Sequence, residues 1–593
     1  MPVAAIDFES FYDENTSIVT MGTDNYVAAT DAYMVSTVVD GDCRCGTIAE
    51  MGDYCEQLAK DPTVIPMAAN ANFDRAWWAK YWPQFENEWH CLLDHAAFHQ
   101  LPRSLAPLAE CLLGKGKVDK TVRSNMKGVH YEALSETEKQ TVLEYCLNDS
   151  IREQECFEAL PLMSETEEKI ALLTRIQNRR GVRINTDLVR TDKTALEEMK
   201  FDSFKRIPWH TDAKPLSHSA LVKWCGLNGI PAPTSTAKTD EECCDLMSDH
   251  PALAEVLGQL RRYRRSNTLL KKVNSLLSRV TPDDKLPLDL MYCGAPHTRR
   301  WSARGFNIHN LEREPLDLGT GKTIWSRNWI IPRPGTKFLV LDYSQIEPRV
   351  LNWLVGNEEM LATMRQGFSI YEAFAKSAEH WTGAPGTLKK EWGKAKYTLL
   401  KNRVLGLGYG MGATGFQNYV RVNGGGELSM DESTRIVNSF RAQNKRVVGM
   451  WNTLDGAVTA AVASPDKKLV LKVPSGDVLI HWHVGRLKRG YESYTTKGDF
   501  SFQSHQDRLW GGTLTENVTQ RVARDVLADA CIRLEDAGFP VLFTVHDEVI
   551  LEVDADAGEE AQHEAEQIMR TPPAWGTGIP LDVEGGFADS YTK

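Results

Sequence analysis

Two stretches decide the fold: Val340-Leu341-Asp342-Tyr343-Ser344-Gln345-Ile346-Glu347 and, late in the chain, Val545-His546-Asp547-Glu548-Val549. Lys337–Leu341 reads as a strand, and Ile346, Val350, Leu351 and Leu354 then follow helical spacing. Asp342 therefore stands where a strand becomes a helix. Val541–Val553 reads as two apolar strands around a tight turn at His546-Asp547-Glu548. Acids displayed at strand ends between buried apolar runs are candidate metal ligands. A turn-favouring aspartate would account for His546-Asp547-Glu548 taken alone.

Working outward, residues 388–410 read as a basic helix. In it Lys401-x-x-x-Leu405-x-x-x-Tyr409-Gly410 repeats every four residues, so these side chains share one face. Lys394 lies seven residues before Lys401 and shares that face. Thr298-Arg299-Arg300-Trp301-Ser302 and Asn307-Ile308-His309-Asn310 precede the first acid, and Glu516-x-x-x-Gln520-x-x-x-x-Asp525 precedes the second. Between Arg261 and Arg304, eleven Lys and Arg face three acids. Arg261, Arg265 and Lys272 fall near one helical face there. A solvated helix face and a phosphate-tracking helix explain that run equally well.

The N-terminal part alternates strands (Val3–Ile6, Val64–Ala69) with helices (Asp74–Trp82, Glu136–Leu160), an α/β pattern. Asp7 and Glu9, two apart on a strand end, point to one side. Asp74 follows the second strand, and Tyr145 and Asp149 share a helix face. Four carboxylates brought together repel unless a divalent cation lies among them. A second long helix, Glu165–Arg180, follows with Ser164 as its N-cap.

This ordered set resembles two known patterns. Asp7, Glu9, Asp74, Tyr145 and Asp149 are similar to the motifs of the DEDD-type 3′–5′ exonucleases, in the variant with tyrosine. The remaining stretches resemble motifs A, B and C, the thumb–palm signature and the minor-groove helix of the DNA polymerase I family, family A. Three positions depart from that family: glycine is usual at Arg299, glutamine at His309 and asparagine at Glu516. Two more departures are Leu405, where an aromatic is usual, and Pro348, where a leucine is common.

The resemblance implies a multidomain α/β and α+β protein. A ribonuclease H-like 3′–5′ exonuclease domain (1–163) would precede a right-hand polymerase: thumb (164–289), palm with motif A (290–356), fingers with motif B (357–515) and palm with motif C (516–593). It implies template-directed DNA synthesis with proofreading, and two Mg²⁺ per active site, with Mn²⁺ as substitute. Asp342 and Asp547 would hold the ions of one site, with Glu548 a secondary carboxylate. Asp7, Glu9, Asp74 and Asp149 would hold those of the other, where Tyr145 orients the attacking water. Lys401 would meet the triphosphate, and Lys394 or Lys396 would replace the family arginine expected at Tyr397. Tyr343 would add a backbone ligand. Tyr409 would stack near the templating position, Glu347 would exclude a 2′-hydroxyl, and Leu405 would lie beside the sugar. Arg300, Asn307, Gln520 and His546 would contact primer and template, with Arg261, Arg265 and Lys272 along the backbone. Expected partners are primer–template DNA and deoxynucleoside triphosphates; a replicative helicase or primase, a single-strand-binding protein and a processivity factor are further candidates.

Composition narrows the field without naming a function. The chain has 593 residues, 42% hydrophobic and 25% charged, as in ordinary folded proteins. Net charge is −12, so only a local basic region could attract nucleic acid. The twelve cysteines form no Cys-x-x-Cys pair and are expected to be reduced thiols. No run of about 18 apolar residues suggests a membrane span, and Met1–Tyr12 does not read as a signal peptide. A cytoplasmic protein is expected, in the host cell if phage-encoded, for size and layout resemble a phage replicative polymerase. The separate 5′ nuclease of bacterial DNA polymerase I is expected to be absent, since the exonuclease motif begins at residue 7. Two alternatives stand beside this reading. A single-subunit RNA polymerase should lack the exonuclease acids and Glu347. A catalytically inactive DNA-binding protein should have lost the metal-site acids.

Overall fold

The N-terminal strand β1 (Val3–Ser10) forms the middle of a five-stranded sheet. The computed structural model describes residues 2–592 apart from 84–87, 115, 117–120, 238–239, 320, 488–489, 494–495, 498–499 and 502–506. The other strands are β2 (Ala32–Val39), β3 (Asp42–Thr47), β4 (Ile65–Ala68) and β5 (His90–Cys91), in the order β3-β2-β1-β4-β5. β1 runs antiparallel to β2 and parallel to β4. Helix α1 (Ala71–Tyr81) leaves β4 and drives Trp77 and Trp78 into the core, both essentially fully buried. A short helix α2 (Leu92–Phe98) follows β5. Helix α3 (Glu136–Ala159) begins with a capping box: the Ser135 hydroxyl accepts from Glu138 N–H while the Glu138 carboxylate accepts from Ser135 N–H.

Helix α4 (Glu165–Arg180) starts where Ser164 caps the Glu167 amide. Glu167 is buried and accepts from Arg521, Arg524 and the Tyr292 hydroxyl. Burial works against its charge, yet Arg524 and Arg521 hold its carboxyl well below the usual range. Breaking one partner of such a buried set costs more than the set contributes net. A long helix α5 (Pro251–Leu277) carries the basic run, with proline at its first position, where no amide is needed.

The C-terminal half is built on β6 (Thr336–Tyr343), which is three residues longer than the strand read from sequence and includes Asp342. It lies between β8 (Glu548–Asp554) and β9 (Val583–Ala588), with β7 (Val541–Val545) outside β8, all antiparallel. Both faces of this sheet are covered. Leu339, Leu341, Val549 and Leu551 share a core with Leu514, Val518 and Val522 of the helix Gly511–Asp536, while Phe338, Val340, Phe543 and Ile550 share a core with Leu269 and Val273 of α5. Burial on both sides explains why these strands read as unbroken apolar runs.

Helix α6 (Ile346–Leu354) follows β6 through Gln345, whose left-handed backbone (φ 55) makes the sharp corner; Pro348 is accepted in its first turn. Helix α7 (Leu388–Leu407) is broken at Gly393 (φ 74), so its continuous part begins at Lys394. Helices α8 (Ala413–Val422) and α9 (Gly511–Asp536) complete the frame. Among the described residues all twelve cysteines are free, and no helix is long and apolar enough to cross a membrane.

Candidate functional site

The sheet register sets the first site. Asp342 pairs with Glu548, which leaves His546 and Asp547 as the turn between β7 and β8. His546 takes the left-handed conformation (φ 57), and Tyr343 N–H donates to the Asp547 carbonyl at 3.1 Å. The turn is thus fastened to the end of β6. Burial, with Glu347 and Asp342 close by, pushes the Asp547 carboxyl up to about 7 against the pull of Arg300. The Arg300 guanidinium lies 3.8 Å from Asp547 and pairs with Glu347. The Tyr409 hydroxyl donates to Glu347 at 3.4 Å. Asp342, Asp547, Glu347, Arg300 and Tyr409 therefore converge.

Glu548, the expected secondary carboxylate, begins β8. It is buried, accepts from the Tyr591 hydroxyl at 2.6 Å and lies 4.0 Å from Arg327, so it ties the sheet to the C-terminal segment. The Tyr343 side chain is also structural, its hydroxyl donating to the Met569 carbonyl at 2.8 Å.

Beside the acids opens a cleft of about 540 Å³, lined among others by Glu347, Pro348, Leu405, Tyr409, Tyr419, Trp510 and Glu516. Lys401 stands exposed one turn before Leu405. Lys394 is exposed at the start of the unbroken part of α7, while Lys396 lies over the Trp392 ring at 3.8 Å. Tyr397 packs its ring against Tyr371.

The second site lies in the N-terminal sheet. Ligand atoms of Asp7, Glu9 and Asp149 are within 4.8 Å of one another. Asp74 is buried and accepts from Phe8 N–H at 3.3 Å, which holds α1 against β1. Burial, then Glu153, Glu9, Asp74 and Asp149, raise the Asp7 carboxyl well above its usual range. Burial raises Asp74 likewise, and burial with Asp149 and Glu9 raises the Tyr145 phenol. Carboxylates gathered this closely are a donor set that a divalent cation fits, because its charge offsets their mutual repulsion.

A model of DNA polymerase family A matches residues 214–459. A DNA polymerase of Bacillus phage SP02 is 28% identical across 89% of this chain and 90% of its own length. The DNA polymerase I of Aquifex aeolicus is 24% identical across 63% of this chain and 57% of its own, and that of Helicobacter pylori 23% identical across 62% and 36%. This chain thus spans most of the phage relative but only about a third to a little over half of those bacterial ones. The fold matches that of the POL domain of Pol1 from M. smegmatis, solved with DNA primer-template and dNTP (TM-score 0.66, 16% identity, 99% of this chain and 95% of that one). Over the matched residues the chain resembles the DNA polymerases of family A.

The three basic residues of α5 are engaged within the chain. Arg261 donates to the Thr236 carbonyl at 3.1 Å, Arg265 pairs with Glu312 at 2.5 Å, and Lys272 donates to the Asn310 carbonyl at 2.7 Å. They brace α5 against neighbouring loops, whereas Arg264 and Lys271 on the same helix are exposed. Asn307 donates to the Ala303 carbonyl at 2.8 Å and Gln520 to Glu516 at 3.1 Å, while His546 is exposed at its turn. Arg299 has a left-handed backbone (φ 52), a conformation glycine takes without cost. Its buried guanidinium stacks over Phe98 at 4.1 Å.

Four residues near the sites escaped the sequence reading. Glu153 lies one turn beyond Asp149 on α3, a spacing that could have flagged it. Arg123 faces the same acids: against the cost of burial, Glu9 and Tyr145 hold its guanidinium above the usual range. Tyr419 and Trp510 line the cleft, and a glycine doublet marked the second. A Cβ at Gly512 would stand 2.3 Å from the Trp510 ring, and one at Gly511 2.0 Å from the Trp451 carbonyl.

Asp547 makes the metal-free protein pH-sensitive. It ionises in an unfolded chain near pH 4 but in the folded one only near 7. Its contribution to stability is therefore full below the lower value and lost as pH rises through the upper one. Asp547→Asn, a mimic of the protonated acid, is expected to stabilise the protein in chelator at about pH 8, by on the order of 2–4 kcal/mol. The gap should close near about pH 4. Thermal melts across that range check it, and equal melting at the high end would mean that Asp547 ionises normally.

Proposed function

We propose that this DNA-directed DNA polymerase extends a primer at Asp342 and Asp547 and removes mispaired 3′ nucleotides at Asp7, Glu9, Asp74 and Asp149. The observation that carries the reading is the presence of two separate crowded carboxylate sets, one at a strand end beside an open cleft and one on the N-terminal sheet. Residues 1–163 act as the proofreading domain, 164–289 as thumb, 290–356 and 516–593 as palm, and 357–515 as fingers. Mg²⁺ at each carboxylate set supplies charge neutralisation and an activated oxygen nucleophile.

The chain's own residues supply the rest. Lys401 and Lys394 on α7 meet the triphosphate, and Leu405 and Tyr409 wall the cleft where sugar and base lie. Arg300 and Gln520 reach the primer and minor groove, where acceptors are nearly independent of sequence. Tyr145, held neutral beside Asp149, orients the attacking water. Primer–template DNA and deoxynucleoside triphosphates are the substrates, and the setting is replication of a phage genome in the host cytoplasm. Primer extension with Mg²⁺, with and without deoxynucleotides, tests both activities. Extension with them and 3′ degradation without them is the expected result, and failure of either removes that half of the reading.

Glu347 excludes ribonucleotides. Its carboxylate is fixed at the cleft by Arg300 and Tyr409, so it keeps its volume where a 2′-hydroxyl would stand. Glu347→Ala is expected to raise ribonucleotide over deoxynucleotide insertion by roughly tenfold or more, a difference of about 1.4 kcal/mol. An unchanged ratio in single-nucleotide insertion would assign discrimination to other residues.

A further inference from the structure

We propose that His90, His95 and Glu168 form a zinc site that fastens the N-terminal sheet to α4. His90 is on β5, His95 on α2 and Glu168 in the first turn of α4. One ligand atom from each lies within 4.8 Å of the others. His95 Nε2 and a Glu168 oxygen are 3.5 Å apart. Two ligands of a tetrahedral zinc, with bonds of about 2.0–2.1 Å, stand ~3.4 Å apart, so this pair already has the required spacing.

The donor chemistry selects the ion. Two imidazoles and one carboxylate suit Zn²⁺, whereas Mg²⁺ prefers an all-oxygen shell. Three protein donors leave the fourth position to water. His95 is buried, while His90 and Glu168 are part-exposed, which gives the ion a way in. The two histidine rings meet edge to face with centroids 5.7 Å apart, and the Phe157 ring packs against both, at 5.5 and 5.2 Å. That apolar wall limits water around the donors. Arg175 is the neighbouring cation. Its guanidinium is 2.6 Å from Asp94 and donates to the Trp89 carbonyl at 2.9 Å, so its charge is matched. An ion pair would explain His95 and Glu168 but leaves the convergence of His90 unexplained.

The site exists only when sheet and helix are docked, so zinc binding and docking stabilise each other. The test uses the full chain carrying Asp7→Ala and Glu9→Ala, in excess Mg²⁺ to occupy the remaining carboxylates, titrated with Co²⁺ as a visible stand-in for zinc. One equivalent is expected to give the absorption of four-coordinate cobalt without a thiolate charge-transfer band, and Zn²⁺ should displace it. Glu168→Gln and His90→Gln should each weaken binding at least roughly tenfold and abolish any rise in melting temperature with zinc. Circular dichroism and primer extension in Mg²⁺ should not change. A thiolate band, no cobalt spectrum, or equal affinity in both variants would overturn the proposal.

Discussion

Asp342→Ala and Asp547→Ala are each expected to lower primer extension by roughly a thousandfold or more while leaving 3′ degradation within about twofold of the parent. A thousandfold is about 4 kcal/mol of transition-state stabilisation, the scale expected when a charge-neutralising group is removed from phosphoryl transfer. Asp342 ends β6 and Asp547 lies in the turn before the adjacent antiparallel strand β8, and that turn is hydrogen-bonded to the end of β6. Neither side chain packs a core: both are part-exposed, whereas Leu341 and Val549 beside them are fully buried. Truncation should therefore remove chemistry without unfolding the sheet. Asp547→Ala also leaves Arg300 paired with Glu347, so the cleft keeps its shape. The Asp7 cluster lies in another sheet with its own core, which is why degradation should persist. Loss of both activities in a variant with native circular dichroism would reject two separable sites.

What the chain displays in one dimension is periodicity, and periodicity carried much of the fold. Alternating and unbroken apolar runs located β1, β4 and β6–β8, and Ser164 marked the start of α4. The corner at Gln345 and the break at Gly393 are backbone events with a weak sequence signature, and the helix read across 388–410 passed over the break. Charge counting is limited for a different reason. It registers the eleven basic residues between Arg261 and Arg304 but not the carbonyls and Glu312 that occupy Arg261, Arg265 and Lys272. The acids of both sites were legible because they interrupt apolar strands or repeat along a helix. Tyr419 and Trp510 were not, because their place at the cleft depends on helix packing across long sequence separations.

Asp7→Ala combined with Glu9→Ala should abolish 3′ degradation, by roughly a thousandfold or more, and leave extension of a matched primer intact. Both acids project from β1, where a two-residue spacing puts them on one side, and Asp149 of α3 meets them there. Burial, with repulsion from Glu153, Glu9, Asp74 and Asp149, raises the Asp7 carboxyl, and such a set is one that a cation suits. Removing two of them leaves Asp149 and Asp74 too few to hold it. The same electrostatics supply a second readout. A carboxyl whose pKa is raised by burial and like charges costs stability at neutral pH. The double variant in chelator should therefore melt higher than the parent near neutrality, and the difference should shrink as pH falls towards about 4, where the unfolded carboxylates also hold their protons. Degradation of mispaired primers that persists in the purified double variant would place the hydrolytic site elsewhere. Lost degradation with no gain in metal-free stability would mean that Asp7 and Glu9 act on the reaction without being crowded in the folded state.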